Sequence, residues 1–299
     1  MQINHIGEIA GIVTAICWTV SALSFSLATR RAGPLAINIG RLVIAMIMFL
    51  AWSRIAKGHW TPSDASPEAW KWLSISGFLG FVAGDYCLFK SYSYQPAKLS
   101  MLIMSLAPPV AAVMGAIILH EKLTLLNGVG MALVLSGIAI VILKQPDPDD
   151  NGSRLHYPMK GLLLALGGAV GQGAGAVFSK LGMGDYDPFS STQIRVLTGI
   201  IGFVVIITFA RQWRSVGYSL KNNKALTPLF IGSFFGPFLG VSLSLFAFQH
   251  TTVGIASTLI ATVPLFILIP SVLILKEKLN WKEIIGAILA VMGMVVFFL

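Results

Sequence analysis

Ten apolar stretches, each close to the length that crosses a bilayer, constrain this chain more than any other feature. A transmembrane helix needs about 20 consecutive apolar residues, because the hydrocarbon core is about 30 Å thick. Only 11% of the 299 residues are charged, against about 25% in an ordinary soluble domain. The sequence therefore predicts an all-α integral membrane protein with ten transmembrane helices. The predicted spans, numbered one to ten, are Ile6–Thr29, Ala36–Ile55, Trp72–Tyr92, Leu99–Leu119, Leu125–Leu143, Lys160–Leu181, Ser190–Ala210, Leu226–His250, Gly254–Leu275 and Trp281–Leu299.

The formal net charge of +9 does not indicate a nucleic-acid partner. A nucleic-acid surface needs clustered basic residues, whereas here they are scattered over short loops. We interpret them as contacts with lipid headgroups. Lys and Arg are concentrated in the loops after odd-numbered spans, so the positive-inside rule places both termini outside the cytoplasm. An even number of spans puts both termini on one side in any case.

Motifs for catalysis, metal binding and nucleotide binding are missing from the sequence. Cys17 and Cys87 both lie in apolar stretches, and two isolated cysteines do not make a disulfide framework or a metal site. There is no G-x4-G-K-[ST] loop and no H-E-x-x-H pair, so neither direct ATP hydrolysis nor zinc chemistry is indicated. We expect no catalytic residue, no metal and no cofactor.

An internal repeat relates the two halves of the chain. Near the start of each half, a shift of 154 residues superposes Gly7 on Gly161, Pro34 on Pro188 and Arg41 on Arg195. Near the end, a shift of 156 superposes Pro108 on Pro264, Glu121-Lys122-Leu123 on Glu277-Lys278-Leu279, Gly130 on Gly286 and Gly137 on Gly293. Five spans per half is an odd number, so the halves enter the membrane from opposite sides, which predicts inverted repeats. We divide the chain into a first repeat at 1–144, a linker at 145–159 and a second repeat at 160–299.

Glycine and proline indicate which spans are central. Glycines four residues apart recur in spans one, three, six and eight, and such spacing lets helix backbones approach closely in lipid. Pro108 and Pro264 interrupt spans four and nine, where the freed carbonyls need protein or a wet cavity around them. We expect these six spans to surround a central cavity, with spans two, five, seven and ten peripheral.

Span three carries the most informative polar residue. Phe81, Asp85 and Phe89 are spaced four residues apart and therefore share one helix face. Asp85 lies about 20 Å into the hydrocarbon core at 1.5 Å per residue, where an ionised carboxylate costs about 2.5–3.5 kcal/mol. It must be hydrated, paired or protonated. Two interpretations stay open: a structural hydrogen bond between helices, or a partner for a substrate amine or a proton.

Other polar and soft side chains complete the candidate binding site. The 154-residue shift matches Trp18 with Gln172, so an indole and an amide at equivalent depths are expected to form two sides of one site. Met101 is flexible enough for a permissive apolar pocket. Arg41 and Arg195 occupy equivalent positions early in their spans, and we interpret them as structural residues that cap or snorkel.

The chain resembles a known family at the end of each half. The stretches HEKLTLLNGVGMALVLSGIAIVIL (120–143) and KEKLNWKEIIGAILAVMGMVVFFL (276–299) resemble the ends of the two repeats of EamA-type transporters, in the drug/metabolite transporter superfamily. The chain looks most similar to bacterial amino-acid exporters, including the aromatic amino-acid exporter. The resemblance implies cytoplasmic termini, opposite to the charge count, and it departs at His120 and Lys276, where many relatives have Gly.

Together, these observations predict a non-enzymatic secondary transporter in the bacterial inner membrane. It would export small metabolites, amino acids above all, by alternating access through a central cavity, with protons as a possible coupling ion. Two alternatives stay open: a drug or other metabolite permease of the same fold, and an integral-membrane enzyme acting on lipids. The enzyme would need clustered Asp, His or Arg residues at a membrane face, and the sequence offers only scattered ones.

Overall fold

The computed structural model describes residues 5–118, 124–142, 157–250, 259–276 and 280–297, and these residues contain helices but no strand. A short helix, Trp213–Leu220, stands beside the larger ones. The larger helices are α1 Ile6–Ala32, α2 Pro34–Lys57, α3 Pro67–Ser91, α4 Ala97–Ile118, α5 Leu125–Ile142, α6 Met159–Met183, α7 Pro188–Phe209, α8 Asn223–His250, α9 Val263–Leu275 and α10 Trp281–Phe297.

Eight of these helices, α1 to α8, are long and apolar enough to cross a membrane. They confirm the prediction of a multi-pass, all-helical membrane protein. Helix α9 is shorter, and α10 has 17 residues. The predicted start of span nine falls in 251–258, outside the described residues. The set of ten spans therefore remains a prediction.

Local capping fixes where several helices begin. Helix α3 starts at Pro67 because the Ser66 hydroxyl accepts a hydrogen bond from the backbone N–H of Ala69 at 3.1 Å, and proline suits the first helical position. Helix α7 starts in the same way, after Asp187. Between α1 and α2, Gly33 adopts φ +79°, a conformation that glycine reaches without steric cost.

The helices pack in pairs that join the two halves of the chain. Helix α1 packs against α8 and α3 against α6, while α2 packs against α7 and α5 against α10. Glycine makes the closest of these approaches possible. A Cβ on Gly171 of α6 would lie 2.5 Å from the Cα of Gly84 on α3, and a Cβ on Gly137 of α5 would lie 2.5 Å from the Gly286 carbonyl oxygen on α10.

Two irregularities recur 156 residues apart, the same shift that relates the ends of the halves. Seven-residue π-helical segments occupy Phe78–Gly84 within α3 and Phe234–Gly240 within α8. Turns at 105–106 in α4 and 261–262 before α9 also share this spacing. Each turn comes just before a proline, Pro108 or Pro264, whose ring disfavours a continuous helix.

Parts of the predicted repeat lie outside the described residues. These are most of the linker at 145–159, the motif Glu121-Lys122-Leu123 and its counterpart at 277–279.

Candidate functional site

A buried charged centre forms around Asp85 of α3, which is 6% exposed. One carboxylate oxygen accepts a hydrogen bond from Nη2 of Arg41 on α2 at 2.5 Å. The other accepts one from Nε2 of Gln172 on α6 at 2.6 Å. Asp85 is thus held by one residue from each half of the chain, and both of its oxygens are satisfied.

Aromatic rings surround the Arg41 guanidinium. Its central carbon lies 4.8 Å from the ring centroid of Phe89, 5.4 Å from that of Phe81 and 5.7 Å from that of Phe25. Asn38 accepts a hydrogen bond from Nε at 3.2 Å. Cation–π contacts offset part of the cost of burying a guanidinium, so the predicted aromatic face of span three serves Arg41 as well as Asp85.

A second guanidinium, from Arg195 of α7, approaches the same centre. Its central carbon lies 5.0 Å from the Phe81 ring, so Phe81 contacts both arginines. A Cβ on Gly80 would lie 3.3 Å from Nη2 of Arg195 and 3.6 Å from Oε1 of Gln172. The missing side chain at Gly80 therefore leaves room for these groups to converge.

The interpretation of Arg41 and Arg195 as capping or snorkelling residues is wrong. They are 3% and 5% exposed, because Asp85 and the aromatic rings offer better partners than a distant interface. The expectation that spans two and seven are peripheral is wrong for the same reason, since α2 and α7 supply these two arginines. Their equivalence under the 154-residue shift, together with an acid in a neighbouring span, was the signal that could have revealed the cluster.

The other predicted site residues, Met101 and Trp18, differ in how they connect to the centre around Asp85. Met101 is buried, and its sulfur accepts a hydrogen bond from the Tyr92 hydroxyl at 3.7 Å. Tyr92 in turn stacks on Phe89, with ring centroids 5.7 Å apart. Trp18 packs against α8, where a Cβ on Gly240 would lie 2.6 Å from its Cδ1. Phe81, Asp85, Phe89, Met101 and Gln172 are thus connected through direct contacts or one intervening side chain, whereas the pairing of Trp18 with Gln172 remains a prediction.

A second buried ion pair, which sequence reasoning missed, joins the start of α4 to the start of α10. Nζ of Lys98 lies 2.7 Å from Oε2 of Glu283. The Tyr157 hydroxyl donates to the other carboxylate oxygen at 3.3 Å. The predicted span four begins at Leu99, so Lys98 falls in the loop before it, because hydropathy places a charged residue at the edge of a span and not in a buried contact.

The two ends of the bundle differ. At one end, which we call the Tyr92 end, a recess of about 430 Å³ is lined by Arg30 and residues 92–96. At the other, the Lys57 end, Nζ of Lys57 lies 3.0 Å from Oδ2 of Asp187, joining α2 to the start of α7.

Loop residues extend the contacts at the Lys57 end. The Tyr186 hydroxyl donates to Asp64 at 2.6 Å, and this hydrogen bond holds the pKa of the Asp64 carboxyl below its usual range. Burial raises the pKa of the Tyr186 hydroxyl, and the hydrogen bond to Asp64 raises it further by a smaller amount. The Lys57 end is therefore tied by charged and hydrogen-bonded contacts between the halves.

Comparison with known proteins identifies the family. The sequence model of the EamA-like transporter family matches this chain twice, over residues 5–143 and 159–299. The chain belongs to this family. As an EamA protein it is a membrane transporter, and two of its relatives are named as uncharacterized transporters.

Individual relatives of this EamA protein are distant. An uncharacterized transporter of Archaeoglobus fulgidus is 22% identical, over 94% of this chain and 94% of its own length. A probable sugar efflux transporter of Haemophilus influenzae is 24% identical, over 75% of this chain and 58% of its own length. An uncharacterized membrane protein of Saccharomyces cerevisiae is 27% identical over 64% of this chain, and the match spans only about half of the yeast protein, 49%.

A solved crystal structure shares the fold. Its TM-score is 0.60 at 17% identity, with 97% of this EamA chain and 95% of the other chain covered. At this identity the likeness shows the fold and says nothing about the substrate.

Proposed function

We propose that this EamA protein is a secondary transporter that exports small metabolites, foremost amino acids, by alternating access through a centre between two inverted repeats. The observation that carries the proposal is the buried centre of Arg41, Asp85, Gln172 and Arg195. Charged residues inside a membrane protein are expensive and generally mark a substrate or ion pathway. This centre draws its residues from both halves, which is where secondary transporters of inverted-repeat design bind substrate.

The chemistry of the centre suits an amino acid. A zwitterion carries an ammonium group and a carboxylate, and the centre offers a carboxylate and guanidinium groups within one cluster. The rings of Phe81 and Phe89 lie beside these charges, so an apolar side chain would find an apolar surface there. Asp85 would pair with the ammonium group of the substrate. When its carboxylate leaves Arg41 or the substrate, it would also be free to bind a proton, which would couple transport to protons.

The two ends of the bundle support alternating access. The recess at the Tyr92 end reaches Tyr92, which stacks on Phe89, and Phe89 contacts Arg41. A chain of contacts through two aromatic side chains therefore leads from the recess to the charged centre, and an ion pair between the halves lies near each end, Lys98–Glu283 at the Tyr92 end and Lys57–Asp187 at the Lys57 end. We assign 1–144 and 160–299 to the two repeats, 145–159 to the linker, and the protein to the bacterial inner membrane.

A sugar or another neutral metabolite is the second candidate substrate, because one relative is named a probable sugar efflux transporter. The two candidates differ in charge. A sugar needs neutral hydrogen-bonding groups and gains little from two buried guanidiniums, so the arginine centre favours the amino acid.

Efflux from proteoliposomes tests the proposal. Purified protein is reconstituted with labelled phenylalanine, alanine or glucose inside, and efflux is compared with that from protein-free vesicles. We expect protein-dependent efflux of phenylalanine. Efflux of glucose alone would replace the amino-acid proposal with the sugar candidate, and efflux of none would contradict both.

A further inference from the structure

Arg195 is the buried charge whose role the protein's own contacts leave unexplained. Its side chain is 5% exposed and its Nε has no hydrogen-bond partner. Among the described residues, no carboxylate lies within ion-pair distance of its guanidinium. A buried unpaired charge is strongly unfavourable, and the Phe81 ring at 5.0 Å offsets only part of that cost.

The repeat explains why Arg195 lacks an acid. Arg41 and Arg195 correspond under the 154-residue shift, and the two π-helical segments, Phe78–Gly84 and Phe234–Gly240, correspond under the 156-residue shift. Asp85 directly follows the first segment, so its counterpart after the second is Val241. The second half has therefore kept the arginine but has an apolar residue where the first half has the acid.

The centre consequently holds two guanidiniums and one carboxylate. Asp85 makes its hydrogen bonds to Arg41 and Gln172, while Arg195 contacts the Phe81 ring beside them. One positive charge is left without an ion-pair partner in the described part of the chain, on a side chain that is 5% exposed.

We propose that Arg195 is the residue that binds the carboxylate of the transported molecule, and that it makes a carboxylate a requirement for binding. The proposal rests on the transport function above and names the charge that the substrate must carry. Arginine suits this role because its planar donors match a carboxylate in a bidentate arrangement. The carboxylate of the transported molecule would supply the negative charge that the protein lacks at Val241.

Binding of matched probes tests the proposal. The full-length protein in lipid nanodiscs is titrated calorimetrically with 3-phenylpropionate, its neutral amide 3-phenylpropanamide, phenethylamine and phenyl phosphate. We expect the wild type to bind the carboxylate at least about tenfold more tightly than the amide, the loss typical of one charge-assisted hydrogen bond. Phenethylamine, which carries an ammonium but no acidic group, should bind more weakly than 3-phenylpropionate.

Variants assign this preference to Arg195. Arg195→Gln should bind carboxylate and amide equally, and Arg195→Lys should keep part of the preference. Arg214→Gln, a change at an exposed arginine, is the control for lost charge and should behave as wild type. Val241→Asp leaves Arg195 in place but offers it an internal acid, so it too should abolish the preference, which keeps the test decisive if Arg195→Gln folds poorly.

Two results would overturn the inference. One is a wild type that binds neither 3-phenylpropionate nor 3-phenylpropanamide, binds these two equally, or prefers phenyl phosphate. The other is a carboxylate preference that survives in Arg195→Gln, or that survives in Val241→Asp when Arg195→Gln does not fold. Failure of the transport proposal is separate: an Arg195-dependent carboxylate preference without amino-acid efflux would leave the carboxylate site standing and remove the amino-acid assignment.

Discussion

Asp85 combines two roles at the level of a single residue, because one oxygen neutralises Arg41 and the other accepts from Gln172. Substitution by asparagine keeps a hydrogen-bonding group but removes the charge. The amide would leave Arg41 buried without a counter-ion, and breaking a buried pair in this way typically costs about 3–5 kcal/mol. Stability and transport would then fall together, so the single variant alone does not separate the two roles.

A double variant separates them. We expect Asp85→Asn to lower both the thermal midpoint in detergent and the efflux rate. We expect Arg41→Gln combined with Asp85→Asn to recover most of the thermal midpoint, because both members of the ion pair are then removed and Arg41 is no longer a charge that has lost its acid, while efflux stays at least about tenfold below wild type.

The exposed Asp185→Asn serves as the matched control for this pair of variants and should leave both measurements unchanged. If Asp85→Asn is produced at normal levels and exports at the wild-type rate, Asp85 has a structural role only and the site assignment is wrong.

At the level of the helix, glycine at the contact between α3 and α6 sets how close the halves come. Gly171→Ala would add a Cβ 2.5 Å from the Cα of Gly84, and a backbone atom cannot move aside as a flexible side chain can. Alanine favours a helix by about 1 kcal/mol over glycine, but overpacking costs about 1–3 kcal/mol. We therefore expect a lower thermal midpoint and slower efflux.

Gly128→Ala is the control, because a Cβ there meets no atom within 4 Å. With helix propensity acting alone, this variant should be neutral or slightly stabilising. Equal midpoints for the two variants would show that the glycine contact does not limit packing.

The helices also show how far sequence reasoning reaches. Hydropathy located the eight helices that are long and apolar enough to cross a membrane, but α3 begins at Pro67 and not at Trp72, because its first turn is set by the Ser66 cap and is not apolar. Periodicity placed Phe81, Asp85 and Phe89 on one face. It could not find Arg41 as the partner, since α2 is apolar on nearly every side and its sequence does not indicate which side faces the centre.

At the level of the whole molecule, the recess at the Tyr92 end predicts the side from which a water-soluble reagent reaches the charged centre. Cys17 and Cys87 are replaced by alanine and Phe89 by cysteine, and a membrane-impermeant maleimide is applied from each side. We expect labelling of position 89 from the Tyr92 end, because Tyr92 lines the recess and stacks on residue 89. The labelled side, combined with a tag on the N-terminus, also decides between the two topologies that charge and resemblance imply.

Breaking the Lys57–Asp187 pair at the Lys57 end should change the labelling of position 89. Lys57→Ala removes a contact whose members are 24% and 33% exposed, and such pairs contribute about 0.2–1 kcal/mol. Labelling from the Tyr92 end should therefore fall by at most about fivefold, as conformations open at the Lys57 end gain population. Lys57→Arg keeps the charge and should label as wild type, and a Lys57→Ala variant whose labelling from each end equals that of the wild type would contradict this role of the pair.

The two π-helical segments bear on the history of the molecule. A π segment places an additional residue within the α-helical path, and here both copies occupy the same register, Phe78–Gly84 and Phe234–Gly240. A single insertion in an ancestral half, followed by gene duplication, accounts for both, whereas two later insertions would have to coincide. On that account the difference between Asp85 and Val241 is later than the duplication, and a half-length ancestor would have had its irregular helix before the two copies acquired different charges.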